Sequence, residues 1–234
     1  MSDSAGGPNI GPEKGTDIAE QYKKDFWSEA NLVFSQPHYR LEKAQRIIVG
    51  LAQGKECSLL DVGCGPATLM RLLPPNIHYY GVDLDTHGQA PNLMEADLLE
   101  TPIGFNGKKF DIVLAQGFFE YVGNLQAQKF GEIADILSDN GNFIVSYWNY
   151  KHRNTQTYCA HSNIQPVGDF RKDLERYFNV DRFFPASYNW YHGSPSMRLN
   201  KAINMHVNVN IPFISPLLAV EYFFICSRRG PRAL

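Results

Sequence analysis

The sequence predicts an α/β protein built on a mostly parallel sheet. From Ser58 onward, short apolar runs alternate with stretches of helical periodicity, a pattern typical of strands joined by crossover helices. A glycine-containing turn, VGCGP, follows the first of these runs directly. The chain has 234 residues, of which 44% are hydrophobic and 20% charged, which suffices for one α/β domain with a sizeable core.

Seven segments have the composition of strands, because apolar, β-branched and aromatic residues run between turn residues. They are 58–62, 78–82, 93–96, 110–115, 142–148, 180–187 and 219–227. Helices are predicted over 17–30, 37–53, 67–73 and 168–178. The link between Asp83 and Leu93 is short and marked by Gly and Pro, so we expect an abbreviated crossover there.

The ends of the chain differ in composition from its body. Residues 1–15 are rich in Gly, Pro and Ser and predict a flexible tail, and residues 229–234 predict a short tail at the other end. We expect a single domain over 16–228. Within it, 16–54 would form a helical cap that either covers the site or only packs against the sheet, and 188–217 would form a substrate-covering insertion.

Charge and cysteine content exclude several classes of function. The formal net charge is −2 and there is no long basic run, so a nucleic-acid partner is not expected. The four cysteines form no CxxC pair and have no histidines at zinc-finger spacing, so we expect reduced thiols and no metal site.

No membrane association is expected either. The N-terminus lacks both a charged start and an apolar run, which predicts a cytoplasmic protein. The apolar stretch 211–226 contains Pro212, Pro216 and Glu221 and is shorter than the roughly 20 residues of a spanning helix, so it is interpreted as a strand with its lead-in.

The segment LLDVGCGPATLMRLL, Leu59 to Leu73, carries the clearest chemical signal. Gly63 and Gly65 stand where a strand must turn sharply and let a ligand approach the backbone. Asp61 precedes them, and Asp83 ends the next strand about 20 residues downstream, the spacing of an acid that holds ribose hydroxyls. A dinucleotide-binding turn would carry Gly or Ala at Thr68, which disfavours a nicotinamide-dependent oxidoreductase without excluding it.

The ordered series LLDVGCGPATL, GVDLD, EADLLETPI and FDIVLAQGFFEYV resembles class I S-adenosylmethionine-dependent methyltransferases of the small-molecule type. This resemblance implies a Rossmann-like sheet of seven strands, mostly parallel with an antiparallel last strand and flanked by helices. It also implies S-adenosylmethionine as cofactor and S-adenosylhomocysteine as product. The implied cofactor-binding residues are Asp61, Gly63 and Gly65 facing the methionine moiety, Asp83 at the ribose hydroxyls, Asp97 at the adenine amino group with Leu98 beside the ring, and Gln116 on the methionyl side. Cys64 and Leu84 complete the implied cofactor-binding set.

Three residues depart from the family pattern. Ala67 stands where a third glycine is common, and Pro66 removes one backbone donor from the loop. Tyr121 stands where small-molecule relatives often carry His after a Glu, so no family histidine carries over as a base.

The catalytic candidates are Tyr121, His152 and His192, of which both histidines follow predicted strands. Either histidine could equally be a solvated loop residue. A sulfonium methyl group is already activated, so holding the acceptor in line can itself supply much of the acceleration.

Aromatic residues gather at or after the predicted strand ends and indicate a flat or apolar acceptor pocket, although they could instead pack a lid. The substrate-binding candidates are Phe118, Tyr121, Trp148, Trp190 and Tyr191.

The favoured function is methyl transfer from S-adenosylmethionine to a hydroxyl or carboxyl oxygen of a small, partly apolar or aromatic molecule. N- or C-methylation of a small molecule is the alternative within the same chemistry. A non-catalytic, S-adenosylmethionine-binding or regulatory subunit is the alternative outside it. The sequence leaves the acceptor and the oligomeric state open.

Overall fold

The structure, a computed structural model, describes residues 39–86, 88, 90–151, 165–188 and 204–229. The N-terminal tail, the helix predicted over 17–30 and residues 189–203 of the predicted insertion therefore lie outside the described residues. So do the candidates His152, Trp190, Tyr191 and His192.

One seven-stranded sheet organises the described residues, in the order β3-β2-β1-β4-β5-β7-β6. The strands are β1 (Cys57–Val62), β2 (Ile77–Asp83), β3 (Leu93–Glu95), β4 (Phe110–Ala115), β5 (Leu137–Trp148), β6 (Phe178–Tyr188) and β7 (Ala219–Arg228). The helices are α1 (Tyr39–Ala52), α2 (Gln126–Ile136), α3 (Val167–Leu174) and α4 (Ser215–Leu218), and short 3₁₀ helices cover Thr68–Leu72 and Gly123–Leu125.

The pairing confirms the fold class. Strands β1 to β5 pair in parallel, and β7 inserts antiparallel between β5 and β6. The parallel strands therefore end at one edge of the sheet, and this carboxyl edge is where open α/β sheets bind ligands. Val62, Asp83, Ala115 and Trp148 mark the strand ends there.

Apolar side chains cover both faces of the sheet, as parallel sheets require. On one face, Ala44 and Ile48 of α1 pack against Leu59, Ile112 and Phe223. On the other, Phe130 of α2 and Phe170 of α3 join a large aromatic cluster that is fully buried or nearly so and also contains Phe119, Phe143 and Phe178. No helix among the described residues has the length and apolar content needed to cross a membrane.

Three predicted elements differ from the structure in type or by more than two residues at one end. The helix predicted over 67–73 is only the 3₁₀ helix Thr68–Leu72, because Pro66 precedes it and Pro74 and Pro75 follow. Strand β5 begins at Leu137 instead of Asn142, because a register shift between Phe110 and Ile112 accommodates the turn-like residues SDNG inside the strand. The helix predicted to run to Phe178 ends at Leu174, and Phe178 starts β6.

Candidate functional site

The glycine loop after β1 adopts the backbone that its composition requires. Gly63 and Gly65 have φ values of 74° and 51°, in the left-handed region that residues with a Cβ avoid. The loop is tied to β2 because the N–H groups of Gly63 and Cys64 donate to the Val82 carbonyl, at 2.9 and 3.3 Å. Ala67 also has a positive φ, 51°, so the position where relatives carry glycine keeps the glycine conformation here.

Asp83, at the end of β2, binds the glycine loop. Its Oδ2 accepts a 2.8 Å hydrogen bond from the Gly65 N–H, and its Oδ1 accepts one of 3.2 Å from the Asp85 N–H. Burial raises the pKa of this carboxyl, and the backbone donors oppose that shift. A carboxylate has about four acceptor positions, so with backbone donors on Gly65, Asp85 and Leu84 it can still accept from a hydroxyl of a ligand.

Asp61 lies at the end of β1, beneath the loop, and is buried. Its Oδ2 accepts a 2.8 Å hydrogen bond from the Tyr79 hydroxyl. Burial raises its pKa to about 7 in spite of that bond, and the nearby Asp83 carboxylate adds to the rise. The structure therefore gives Asp61 a partner within the protein, and its predicted contact with the methionine moiety stays a prediction.

Cys64 packs across the loop onto β2. A side-chain carbon built on Gly81 would lie only 2.8 Å from Cys64 Sγ. The absence of a side chain at Gly81 therefore leaves the space that Cys64 occupies against β2. Burial raises the pKa of the Cys64 thiol, which disfavours the nucleophilic thiolate form.

The predicted adenine side follows β3. Leu98 is buried, whereas Asp97 is exposed and its Oδ1 accepts a 2.9 Å hydrogen bond from the Leu99 N–H. The Asp97 carbonyl accepts from Thr101 Oγ1 and N–H, so this acid closes a local turn. Leu84 is half-buried directly after Asp83.

Gln116 follows β4 at the same edge of the sheet. Both polar atoms of its side-chain amide are buried and have no hydrogen-bond partner in the described part of the chain. A buried amide without partners costs free energy, so such a group indicates a missing ligand. An amide both donates and accepts, which suits the ammonium and carboxylate of a methionine moiety. With the remaining acceptor capacity of Asp83, this orphaned amide shows that the residues present fit S-adenosylmethionine.

Three of the predicted aromatic residues lie at this edge. A side-chain carbon built on Gly63 would lie 3.5 Å from Phe118, so Phe118 stands over the glycine loop. The rings of Tyr121 and Trp148 meet edge to face with centroids 6.1 Å apart. All three are half-buried and lie after β4 or at the end of β5.

A buried charged cluster at the same edge is absent from the sequence-based predictions. Arg40 Nη2 of α1 lies 2.5 Å from Glu221 Oε1 of β7. Glu120, which follows β4, accepts a 2.9 Å hydrogen bond from the Trp148 N–H through Oε1. Glu120 and Glu221 are 0% and 2% exposed.

The two acids of this cluster influence each other. Burial raises the pKa of Glu120 to about 8, the Glu221 carboxylate adds to the rise, and Arg40 opposes it. The sequence contains one indication of this charged cluster, because Glu221 is the one charged residue of the apolar run AVEYFFIC. An ionisable group in a buried strand is rare unless it is paired.

Comparison with known proteins agrees with this geometry. Residues 37–184, well over half of the chain, match the family model of a methyltransferase domain. No curated protein matches the chain.

Many solved structures share the fold. The TehB-like S-adenosylmethionine-dependent methyltransferase from Corynebacterium glutamicum is 15% identical with a TM-score of 0.59, covering 90% of this chain and 98% of that one. A putative methyltransferase of Haloferax volcanii, in complex with the Trm112 methyltransferase activator, is 14% identical with a TM-score of 0.60, covering 90% and 97%. The plantazolicin methyltransferase BpumL, in complex with S-adenosylhomocysteine, is 13% identical with a TM-score of 0.58, covering 91% and 93%.

At such low identity these structures show a shared fold, while the family model reports on the sequence itself. Both point to the family that the ordered motifs resemble. The chain therefore belongs to the class I S-adenosylmethionine-dependent methyltransferases, whose cofactor is S-adenosylmethionine.

Proposed function

We propose that this protein transfers the methyl group of S-adenosylmethionine to a nucleophilic atom of a small organic acceptor, with a hydroxyl or carboxyl oxygen as the favoured atom. The observation that carries the proposal is the hydrogen bond between the Gly65 N–H and Asp83 Oδ2. It joins the two elements that hold a nucleoside in this fold, the glycine loop and the acid at the end of β2.

Asp83 would hold the ribose hydroxyls, and Gln116 would hydrogen-bond the methionine end of the cofactor. Leu98 would pack against the adenine ring beside Asp97. The bound cofactor supplies an electrophilic methyl group on a sulfonium, which needs no metal. The protein then has to fix the acceptor in line with that methyl group and exclude water, so positioning is the main contribution expected of its side chains.

The acceptor-binding surface is proposed at Phe118, Tyr121 and Trp148. These half-buried rings lie beside the glycine loop and at the end of β5, and flat apolar surfaces of this kind bind aromatic or apolar molecules. Tyr121 is the one catalytic candidate within the described residues. His152 and His192 remain candidates for a base from the sequence alone.

Cofactor binding is tested by isothermal titration of the pure protein with S-adenosylhomocysteine. We expect binding by the unaltered chain and a loss of about tenfold to a hundredfold in Asp83→Ala, since hydrogen bonds to a charged group contribute about 1.5–3 kcal/mol. Asp139→Asn is the control, because that side chain is 96% exposed and lies at the start of β5, far from the glycine loop. Absence of binding by the unaltered chain at millimolar ligand would overturn the proposal.

The acceptor atom is tested with three families of aromatic compounds that differ only in the nucleophile: phenols, carboxylic acids and amines. Release of S-adenosylhomocysteine is the readout. Turnover confined to phenols or acids supports O-methylation, and turnover confined to amines selects the N-methyl alternative. Tight S-adenosylhomocysteine binding without turnover of any compound favours the regulatory, non-catalytic alternative.

A further inference from the structure

Glu120 is a buried acid that the proposed cofactor contacts do not use. Its side chain is fully buried, and only Oε1 has a partner, the Trp148 N–H at 2.9 Å. Oε2 is buried and accepts or donates no hydrogen bond within the described part of the chain. Leaving a buried carboxyl oxygen without a partner is costly, so the position calls for a ligand or for another explanation specific to this site.

The place of Glu120 in the fold connects it to the methyl-transfer site. It lies in the turn after β4 that also carries Gln116 and Phe118, of which Phe118 stands over Gly63 of the glycine loop. The bond from Trp148 fixes its carboxyl group at the end of β5. Glu120 therefore follows, by two residues, the ring that stands over the proposed cofactor loop, and it is hydrogen-bonded to the backbone of one of the proposed acceptor-binding residues.

The surrounding charges do not satisfy Glu120. Arg40 comes from α1 and also contacts the turn, since a side-chain carbon on Gly117 would lie 3.6 Å from its Nη2. That same nitrogen lies 2.5 Å from Glu221 Oε1 of β7. Arg40 is thus engaged by Glu221, whose carboxylate also interacts electrostatically with the buried Lys43, while no donor in the described part of the chain hydrogen-bonds Oε2 of Glu120. A ligand that offers a hydrogen-bond donor or a positive charge complements this arrangement.

We propose that Oε2 of Glu120 is the acceptor-side contact of the methyl-transfer site, where it binds the O–H or N–H of the acceptor and removes its proton during transfer. The inference rests on the proposed function. In this step, a lone pair of the acceptor oxygen or nitrogen forms a bond to the methyl carbon. The bond from that carbon to sulfur breaks, and its electrons stay on sulfur, which becomes a neutral thioether. The acceptor proton moves to the Glu120 carboxylate, so charge and atoms balance.

The acid strength of Glu120 agrees with this role. Its pKa of about 8 results first from burial and then from Glu221, with Arg40 acting in the opposite direction. A base is most effective when its pKa lies near the working pH, and an ordinary Glu would be too weak for an O–H or N–H proton. The neighbouring residue is Tyr121, so Glu120 is the carboxyl group of the turn that follows β4.

The test compares two analogues of the cofactor that differ only at the reacting centre. S-adenosylhomocysteine lacks the methyl group, whereas sinefungin replaces the methylsulfonium by a carbon that bears a protonated amine. That ammonium occupies the methyl position and faces the protein group that would contact the acceptor. If Glu120 is that group, we expect sinefungin to bind about tenfold or more tighter than S-adenosylhomocysteine to the unaltered chain, as a charge-assisted hydrogen bond would provide.

In Glu120→Gln, the preference for sinefungin should fall to about threefold or less, while the Kd of S-adenosylhomocysteine changes by less than about threefold. Glu175→Gln, which removes an acid of an exposed pair, is the control and should keep the full preference. Glu120→Asp, which retains the charge on a shorter side chain, serves as a second variant should Glu120→Gln fold poorly.

A measurement on the unaltered chain complements these variants. The preference for sinefungin should rise from pH 6 to pH 8.5, because Glu120 gives up its proton over this range. Equal affinity for the two analogues at every pH, or an undiminished preference in Glu120→Gln, would overturn the inference while leaving the proposed function intact. Failure of the unaltered chain to bind S-adenosylhomocysteine would instead overturn the proposed function.

Discussion

Tyr79 of β2 donates a 2.8 Å hydrogen bond to Asp61 of β1, and both side chains are buried directly beneath the glycine loop. The bond spans two neighbouring strands and places a carboxyl group under the turn that is proposed to bind the cofactor. Burial, with Asp61 beside it, raises the pKa of Tyr79 well above its ordinary value, so the hydroxyl keeps its proton and remains a donor. The charge state of Asp61 therefore governs the stability of this part of the fold.

We predict that Asp61→Asn flattens the pH dependence of stability. The pKa of Asp61 is about 7 in the folded chain and 3.8 in a solvated one, so between these values the unfolded chain releases a proton that the folded chain retains. The free energy of unfolding contributed by Asp61 consequently falls as pH rises through this window, by a few kcal/mol in all. Asn has no proton to lose and can still accept from Tyr79.

Urea unfolding at pH 4.5, 6 and 7.5 measures this effect. The fall from pH 4.5 to 7.5 should be smaller in Asp61→Asn than in the unaltered chain. Glu120→Gln removes a group with a pKa of about 8. In that variant the decrease in the free energy of unfolding with rising pH should therefore end near pH 7. An unchanged slope in Asp61→Asn would contradict the prediction.

Tyr79→Phe should destabilise the fold by about 1–3 kcal/mol, because it removes the donor and leaves a buried carboxyl oxygen without a partner. The loss should be greater at pH 8 than at pH 5, since the ionised carboxylate depends more on the hydrogen bond. In an Asp61→Asn background the substitution should cost less, and the double-mutant cycle measures that difference. Additive effects would mean that the two side chains do not interact.

Gly81→Ala should destabilise the protein by about 1–3 kcal/mol, the usual range for overpacking. Its new carbon would lie 2.8 Å from Cys64 Sγ and 2.9 Å from Leu93 Cδ2, so the glycine loop would have to move. We also expect weaker binding of S-adenosylhomocysteine for that reason. Gly50→Ala in α1 is the matched control: it meets no atom within 4 Å, and Ala in a helix should stabilise by about 0.5–1 kcal/mol. Equal melting temperatures for the two variants would refute this packing.

Arg40→Met should be severely destabilising, by about 3–5 kcal/mol, because it removes the hydrogen-bonded ion-pair partner of the buried Glu221. Adding Glu221→Gln should restore part of the lost stability. Arg171→Met removes the cation of an exposed pair with Glu175, where about 0–1 kcal/mol is expected. Chemical denaturation of the three variants checks the order, and a similar loss of stability for both arginines would show that burial does not matter here.

Phe213→Asn should stabilise the protein by about 1 kcal/mol, which raises Tm by about 2–4 °C in a chain of this size. Phe213 has a φ of 66°, which a bulky residue adopts only with strain, whereas Asn tolerates it. The ring is 88% exposed, so its loss removes little packing. Val209→Asn, at a position that is 62% exposed and has a negative φ, should change stability by less than about 0.5 kcal/mol. A drop in Tm for Phe213→Asn would show that the ring makes a stabilising contact.

Local patterns in the sequence were sufficient to predict most strands of the sheet. The strand predicted over 110–115 matches β4 at both ends, and every other predicted strand overlaps an observed one. Alternation of apolar runs and turn residues reflects hydrogen bonding and burial within a few neighbouring residues, so strands can be predicted from it without knowledge of long-range contacts. The element after Gly65 was predicted less well, because prolines on both sides shorten it to one 3₁₀ turn.

The residues of the candidate site also fall into those that local sequence patterns predict and those that they do not. Gly63, Gly65, Asp83 and Gln116 could be named from the sequence because strand ends and turns position them locally, and the carboxyl edge of a parallel sheet then brings them together. Glu120 lies 80 residues after Arg40 in the chain, and Glu221 lies 101 residues after Glu120. Only the insertion of β7 beside β5 makes the three residues neighbours. No local periodicity encodes that contact. The sequence by itself therefore determined the fold and the cofactor motifs, while the tertiary structure decided which buried charges face one another, because such pairing depends on long-range packing and on the exclusion of water.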